Sequence, residues 1–469
     1  MRSLPLFLLL AGCSSSPDVG GTDSGTDVST SDAPVITNDA GPDVNSQCVG
    51  STPLVYDAPT NRDINVQPTT PPVLGPAGSI VKDPTYGTSL LRVTDDTTLS
   101  FLVANEFWGN DWSLDSKYFY FQTSTSGLAF RKFDPATMTA TPVTPTKSLW
   151  NGGFSRTMPG VYIGMTGFKI LAYDFATSTQ SLIVDLTTIV PSPTGYALGA
   201  QEASNGLIVS AFGGPQQDRM QYIVAYDPKT KSSHVLDVIA STLDGKPVGT
   251  TLGSTTAGVH VFELDPSGTW VSFMVATTPQ LTVYAWNVVT GTVTAVPTVN
   301  GDLNYGTLGW GSWLRHNGNA KDSFNFARFD FTSLAGPGTD MLSPPRTPNE
   351  TGVAISVAWS NVSTAPNAPF IVESLRSPTN TNPWNVWDNE IIAVEQAATP
   401  RVWRFAHTFN TYTGPTASDD FYYLFIPRVS QDGRFVLFDS NWEQTLGTNT
   451  KTGQPRTDMF IAALPSPCP

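Results

Sequence analysis

Four histidines, His234, His260, His316 and His407, are the residues of this 469-residue chain best suited to acid–base or metal chemistry. His260, His316 and His407 stand beside three apolar segments that are far apart in sequence. Imidazoles brought together from such segments would bind a divalent metal through their ring nitrogens. Three separate hydrogen-bonded histidines fit the same spacing, so both readings stand. His234, in Lys231-Ser232-Ser233-His234, reads as a surface residue. Arg156, Arg315, Arg404 and Arg428 offer planar guanidinium groups that would face a carboxylate. A different chemistry is stacking. Trp384 and Trp387 lie in the loop-like run Asn382-Pro383-Trp384-Asn385-Val386-Trp387-Asp388-Asn389, and exposed indoles stack on sugars or anchor protein partners. Most other tryptophans read as core. The chain has no Gly-x-Ser-x-Gly elbow, His-Glu-x-x-His motif or phosphate-binding loop.

The elements that would position these residues are short strands. Val429-Ser430-Gln431-Asp432-Gly433-Arg434-Phe435-Val436-Leu437-Phe438 reads as strand, Asp-Gly turn, strand. Looser copies run from Trp112 to Phe121 and from Phe262 to Phe273. Seven strand–turn–strand units follow one another: Asn105 to Val143, Gly152 to Leu186, Leu198 to Val238, His260 to Val296, Tyr305 to Leu342, Gly352 to Phe405, and Phe425 to Leu464. An aromatic followed by Asp, often with Pro, closes the third strand of several units, as in Phe133-Asp134-Pro135 and Tyr226-Asp227-Pro228. Asp and Pro there start the turn to a fourth strand. Only 14% of residues are charged, and Gly, Pro, Thr and aromatics are plentiful. Such composition suits strands and turns rather than helices.

One hairpin repeated along a chain implies a repeat architecture. The expectation is an all-β fold: a single seven-bladed β-propeller of four-stranded antiparallel blades over residues 48–469. A pair of β-sandwiches is the other option, disfavoured because no linker interrupts residues 80–464. The strand around Ser89–Asp96 is then free to complete the last blade. The hairpins, Ser430 to Phe438 above all, resemble the repeats of TolB-type and WD40-like propellers. That resemblance implies a fold and is silent on function, because these residues build turns and cores. Inner strands and their entry loops line a propeller's channel. His260, His316, His407, Arg315 and Arg428 are therefore the candidate ligand or metal residues, with a divalent metal in the channel as the candidate cofactor. The oligogalacturonate lyase type of seven-bladed propeller is similar in fold class. It implies an alternative activity, metal-assisted cleavage of a polysaccharide. The primary reading is a binding propeller for a carbohydrate or a protein, with no catalysis assumed.

The N-terminus reads as an address. Met1-Arg2 is followed by an apolar run from Leu4 to Leu10, too short to span a bilayer, and then by Leu10-Ala11-Gly12-Cys13-Ser14. This resembles the lipobox of bacterial lipoproteins, which implies removal of residues 1–12 and acylation of Cys13 with fatty acids such as palmitate. An ordinary signal peptide with a chance cysteine is the competing reading. Ser14 implies the outer membrane under the sorting rule of enteric bacteria. Residues 13–47 are a Ser/Thr/Gly/Asp/Pro tether without aromatics, unable to offset its ordering entropy. Cys48 and Cys468 flank the folded part and are expected to form a disulfide across a closed ring, since an envelope protein sits outside the reducing cytosol. The net charge of −14 and the lack of any Lys/Arg cluster argue against nucleic acid as a partner. Replacing Cys13 by Ala is expected to abolish fatty-acid labelling and release the protein from the membrane or leave it uncleaved. Unchanged labelling would refute the anchor.

Overall fold

Apolar residues in short runs bounded by Asp, Asn, Gly and Ser make strands that are buried on both faces. A computed structural model of the chain describes residues 55–95, 102–103, 110–123, 127–214, 219–277, 280–296, 306–316, 326–334, 338–341, 353–359, 368–376, 384, 386–397, 399–411, 427–448 and 456–465. Two single-turn 3₁₀ helices aside, the regular structure of these residues is strand. Cys13, Cys48, Cys468 and the tether lie outside the described residues.

Two strands precede the first blade, β1 (Ile80–Lys82) and β2 (Ser89–Arg92). Blade 1 holds β3 (Leu102–Val103), β4 (Tyr118–Thr123), β5 (Gly127–Asp134) and β6 (Thr139–Val143). Blade 2 holds β7 (Trp150–Phe154), β8 (Val161–Thr166), β9 (Lys169–Asp174) and β10 (Thr179–Asp185). Blade 3 holds β11 (Tyr196–Glu202), β12 (Ile208–Gly214), β13 (Tyr222–Asp227) and β14 (Ser232–Asp237), extended by a hairpin of β15 (Thr242–Leu243) and β16 (Lys246–Pro247). Blade 4 holds β17 (Val259–Leu264), β18 (Trp270–Thr277), β19 (Gln280–Asn287) and β20 (Val293–Ala295). Blade 5 holds β21 (Gly306–Gly309), β22 (Ser312–His316), β23 (Phe326–Asp330) and β24 (Thr339–Asp340). Blade 6 holds β25 (Val353–Trp359), β26 (Phe370–Arg376), β27 (Glu390–Val394) and β28 (Val402–His407). Blade 7 holds β29 (Arg428–Val429), β30 (Phe435–Ser440) and β31 (Asp458–Ala463). All pairings are antiparallel, and the fold is a seven-bladed β-propeller.

The repeated turns share one chemistry. In blade 7 the Ser430 hydroxyl accepts from the Phe435 amide, Asp432 accepts from the Arg434 amide, and Gly433 takes φ 70°. In blade 4 Asp265 accepts from the Thr269 and Trp270 amides, with Gly268 at φ 75°. Blade 1 builds the same turn with Ser113 and with Ser116 at φ 55°, a conformation that a non-glycine residue adopts at some cost. The turn into the fourth strand is an Asx turn. Asp134, Asp174, Asp227 and Asn287 each accept from the amide two residues on, at 2.7–3.0 Å. The aromatic-Asp pattern of the sequence is this turn.

Side chains alternate across each strand and enter two different cores. In β13, Ile223 and Ala225 face blade 4 while Val224 and Tyr226 face blade 2. Seven apolar clusters of described residues fill the seven joints between neighbouring blades. The joint between blades 7 and 1 packs Leu91, Phe435, Leu437 and Ile461 against Trp112, Phe119 and Phe133.

Closure follows the expected seam. β2 pairs with β31 in the register Leu90↔Ala462, Leu91↔Ile461, Arg92↔Phe460, and β1 adds a fifth strand outside it. Arg92 donates to buried Asp458 at 2.5 and 3.0 Å, and Arg456 donates to the same carboxylate at 2.7 and 2.9 Å. The segment before β1 straps blades 6 and 7 together. The Tyr56 hydroxyl donates to the Gly433 carbonyl at 2.9 Å, its ring meets Trp403 and Phe405 edge-on, and Trp442 Nε1 donates to the Pro72 carbonyl. Leu90 is fully buried at this seam. Leu90→Ala is therefore expected to cost about 2–5 kcal/mol and to open the strap to protease before the middle blades. Leu182→Ala, at a residue 57% exposed, is expected to leave both melting and digestion unchanged.

Candidate functional site at the ends of the inner strands

The first strands of blades 2 to 7 touch one another in succession, which makes the first strands the lining of the central channel. Their C-terminal ends carry a belt of polar side chains that passes from blade to blade. Gln431 of blade 7 donates to Asn110 Oδ1 of blade 1 at 2.5 Å. Asn110 in turn donates to the Phe154 carbonyl of blade 2 and its own carbonyl accepts from the Phe154 amide. Glu202 of blade 3 accepts from the Ser155 hydroxyl, the Arg156 amide and the Thr157 hydroxyl of blade 2. Gln201 bridges to blade 4 by donating to the Phe262 carbonyl and accepting from the Leu264 amide. Glu263 and Asp265 of blade 4 accept from the Leu308 and Gly311 amides of blade 5 at 3.2 and 3.0 Å.

Four charged groups of this belt are unusual. Arg428, on β29, lies 3.1 Å from Asp111, whose side chain is fully buried. Burial pushes the Asp111 carboxyl up to about 7, against the opposing attraction of Arg428 and a hydrogen bond with Tyr120. Burial likewise pushes Glu263, on β17, up to about 7, and Arg428 again opposes the shift. One guanidinium thus answers carboxyls from blade 1 and blade 4. Arg156, beside Glu202 and Asp265, is lowered to about 10 by burial, which those two acids oppose. Nearby Tyr162 is buried and its hydroxyl is pushed well up by burial and by Asp111. At neutral pH the belt therefore presents a guanidinium beside Asp111 and within the field of Glu263, two carboxyls poised to gain or lose a proton, a set that suits polar recognition or proton transfer.

The sequence-predicted residues divide. Arg428 stands in the belt. His260 is half-buried on inner strand β17, at a bulge between Val259 and Val261 that re-aims its side chain. Arg315 and His316 belong to β22, the second strand of blade 5, and their side chains lie outside the described residues. His407 corrects the expectation of a channel residue. It ends β28, the outermost strand of blade 6, and its buried ring lies 3.1 Å from Asp83 of the strap. Burial alone would raise the Asp83 carboxyl, yet hydrogen bonds and the charge of His407 hold it below its ordinary value. The three histidines are thus not brought together. Among the described residues no group of three or more His, Cys, Asp or Glu is arranged to hold a metal ion. Arg404, also on β28, is committed to a fully buried ion pair with Glu390 and to Asn61 and the Asp63 carbonyl.

Trp387 corrects a second expectation. Only 2% exposed, it packs with Met341, Phe370 and Ile392 between blades 5 and 6, and the Arg62 guanidinium of the strap lies 4.6 Å over its ring. The loop that looked exposed is covered by a segment more than 300 residues earlier. Trp384 is half-buried. Asp111 and Glu263 were missed by sequence reasoning. The available signal was an acid set inside an apolar stretch, as in Phe262-Glu263-Leu264.

No family model and no curated protein matches the chain. Solved structures do. An oligogalacturonate lyase in complex with manganese aligns with 82% of this chain and 96% of its own at 11% identity and TM-score 0.37. The WD40 repeats of RRP9 align with 82% and 100% at 10% identity and TM-score 0.42. TolB from Acinetobacter baumannii aligns with 55% and 61% at 15% identity and TM-score 0.33. The likeness is one of fold.

The belt has a pH signature. A carboxyl raised from its ordinary 4.5 to about 7, as in Glu263, is neutral in the folded chain and ionised in the unfolded one between those values. Its contribution is fully present below the unfolded value and is lost as pH rises through the folded one. The melting temperature should therefore decline between pH 5 and pH 8, and Glu263→Gln should shrink that decline by at least about 2 °C. Parallel profiles for the two proteins would refute the assignment.

Proposed function

We propose that this protein is a lipid-anchored propeller of the bacterial envelope that binds a carbohydrate or protein ligand at the polar end of its channel. The observation that carries this reading is the buried pair of Arg428 and Asp111, 3.1 Å apart at the meeting of blades 7 and 1, with Glu263 of blade 4 within the field of the same guanidinium. Buried charges are costly, and a fold that needed only to close would fill such positions with apolar residues. Placed at the ends of inner strands, they supply directional donors and acceptors to a ligand entering the channel. The lipobox-like sequence at Cys13 supports an anchor, and the acidic tether would hold the propeller off the bilayer. The alternative, a metal-assisted polysaccharide lyase, keeps His260 and His316 as candidate ligands but not His407, which is engaged with Asp83 in the outermost strand.

The test pairs a glycan array with in-cell cross-linking, using wild type, Arg428→Lys and Glu263→Gln. Lysine keeps the charge but cannot present a planar guanidinium to Asp111. The ligand captured by wild type is expected to be lost or weakened roughly tenfold in both variants, a difference of about 1.4 kcal/mol. Equal capture by all three proteins would move the ligand away from the channel end. Metal analysis of the purified protein separates the enzyme alternative: a stoichiometric bound metal, removed by His260→Ala, would favour it.

A further inference from the structure

A cleft of about 530 Å³ lies between blades 4 and 5, lined in part by the outer strand β20 rather than by the channel strands. Its floor is Trp270, stacked at 5.1 Å and 16° on Phe331. Phe331 is buried and belongs to the core between the two blades, whereas Trp270 is only half-buried and still lines the cleft. The backbone of Trp270 is fixed by the blade 4 turn, where its amide donates to Asp265 at 2.8 Å. A rigid indole backed by a second ring and left open to a cleft is a platform rather than a plug. Its rim is hydroxyl-bearing: Thr292 and Thr294 from one side, Thr332 and Ser333 from the other, all exposed. Thr292 and Thr294 are two residues apart at the outer strand and so lie on one face. Every residue lining the cleft is uncharged, in a chain whose net charge is −14.

We propose that this cleft is a subsite for a neutral saccharide, with one sugar ring lying on the Trp270 indole and its hydroxyls meeting the Thr292, Thr294, Thr332 and Ser333 side chains. The apolar face of a pyranose covers an aromatic ring, while its equatorial hydroxyls need both donors and acceptors, which Ser and Thr each supply. An uncharged lining neither repels nor rewards a carboxylate, so a neutral sugar fits better than an acidic one. The site is separate from the charged belt around Arg428, and it stands whether or not a ligand enters the channel there.

The experiment uses the purified full-length protein and three neutral polysaccharides as probes, dextran, laminarin and a β-galactan, with alginate as the acidic control. Binding is read by affinity electrophoresis and by tryptophan fluorescence. Wild type is expected to be retarded by at least one neutral probe and not by alginate. Trp270→Leu keeps an apolar side chain on Phe331 and should weaken that binding roughly tenfold. Thr294→Arg, at an exposed rim position, should weaken it as much while leaving the melting temperature unchanged. No binding to any neutral probe, or binding untouched by Thr294→Arg, would overturn the proposal. Loss of binding in Arg428→Lys alone would transfer the saccharide to the channel end and overturn it equally.

Discussion

Each sheet of this protein is apolar on both faces, and that constraint governs everything else. A blade standing alone would leave two surfaces wet, so the only solution is a ring in which every blade is covered by two neighbours. Six of the seven joints join segments that follow one another in the chain. The seventh must be made by chain ends more than 350 residues apart, and the protein spends Leu90, Leu91 and Arg92 on it. The strap before β1 strengthens the same region with contacts of different kinds: the edge-on rings of Tyr56, the buried pair of Asp83 and His407, and the arginine fork between Glu390 and Asn61. Buried ion pairs are poor sources of net stability, but removing one partner strands the other. They make the closed arrangement specific.

The fold was legible because its signals are local. Asp-Gly and aromatic-Asp turns depend on residues within five positions, and the structure uses them as read, down to the Asx turns at Asp134, Asp174 and Asp227. The candidate site was only partly legible, because its residues come from different blades. Nothing near Asp111 in sequence announces Arg428, and nothing near Glu263 does either. The failures have the same origin. His407 and Trp387 looked available because their neighbours in sequence are polar, and both are buried by the strap, whose contacts no periodicity encodes. Arg428 was named because a guanidinium can face a carboxylate, which is a property of the residue alone, and it faces that of Asp111.

The polar belt and the apolar joints divide the labour between holding and recognising. The apolar joints take in residues of inner and outer strands alike, and the ends of the inner strands carry the hydrogen-bonding groups. Many of these, such as Gln201 and Asn110, are spent on the next blade. Asp111 and Glu263, two of the acids that burial raises, both feel the charge of Arg428, which links protonation to blade geometry at that point.

Blade 3 departs from its neighbours by the hairpin β15–β16, which turns on Asp244 and Gly245, both at positive φ. It is the type of two-residue turn whose twist suits paired strands. Its last strand is Lys246-Pro247, two exposed residues, one charged and one without an amide hydrogen. Such a strand cannot template another. Copies at high local concentration meet one another side by side. On this flank the protein offers neighbours a charge and a proline in place of a row of free amides, so that crowding there does not become polymerisation.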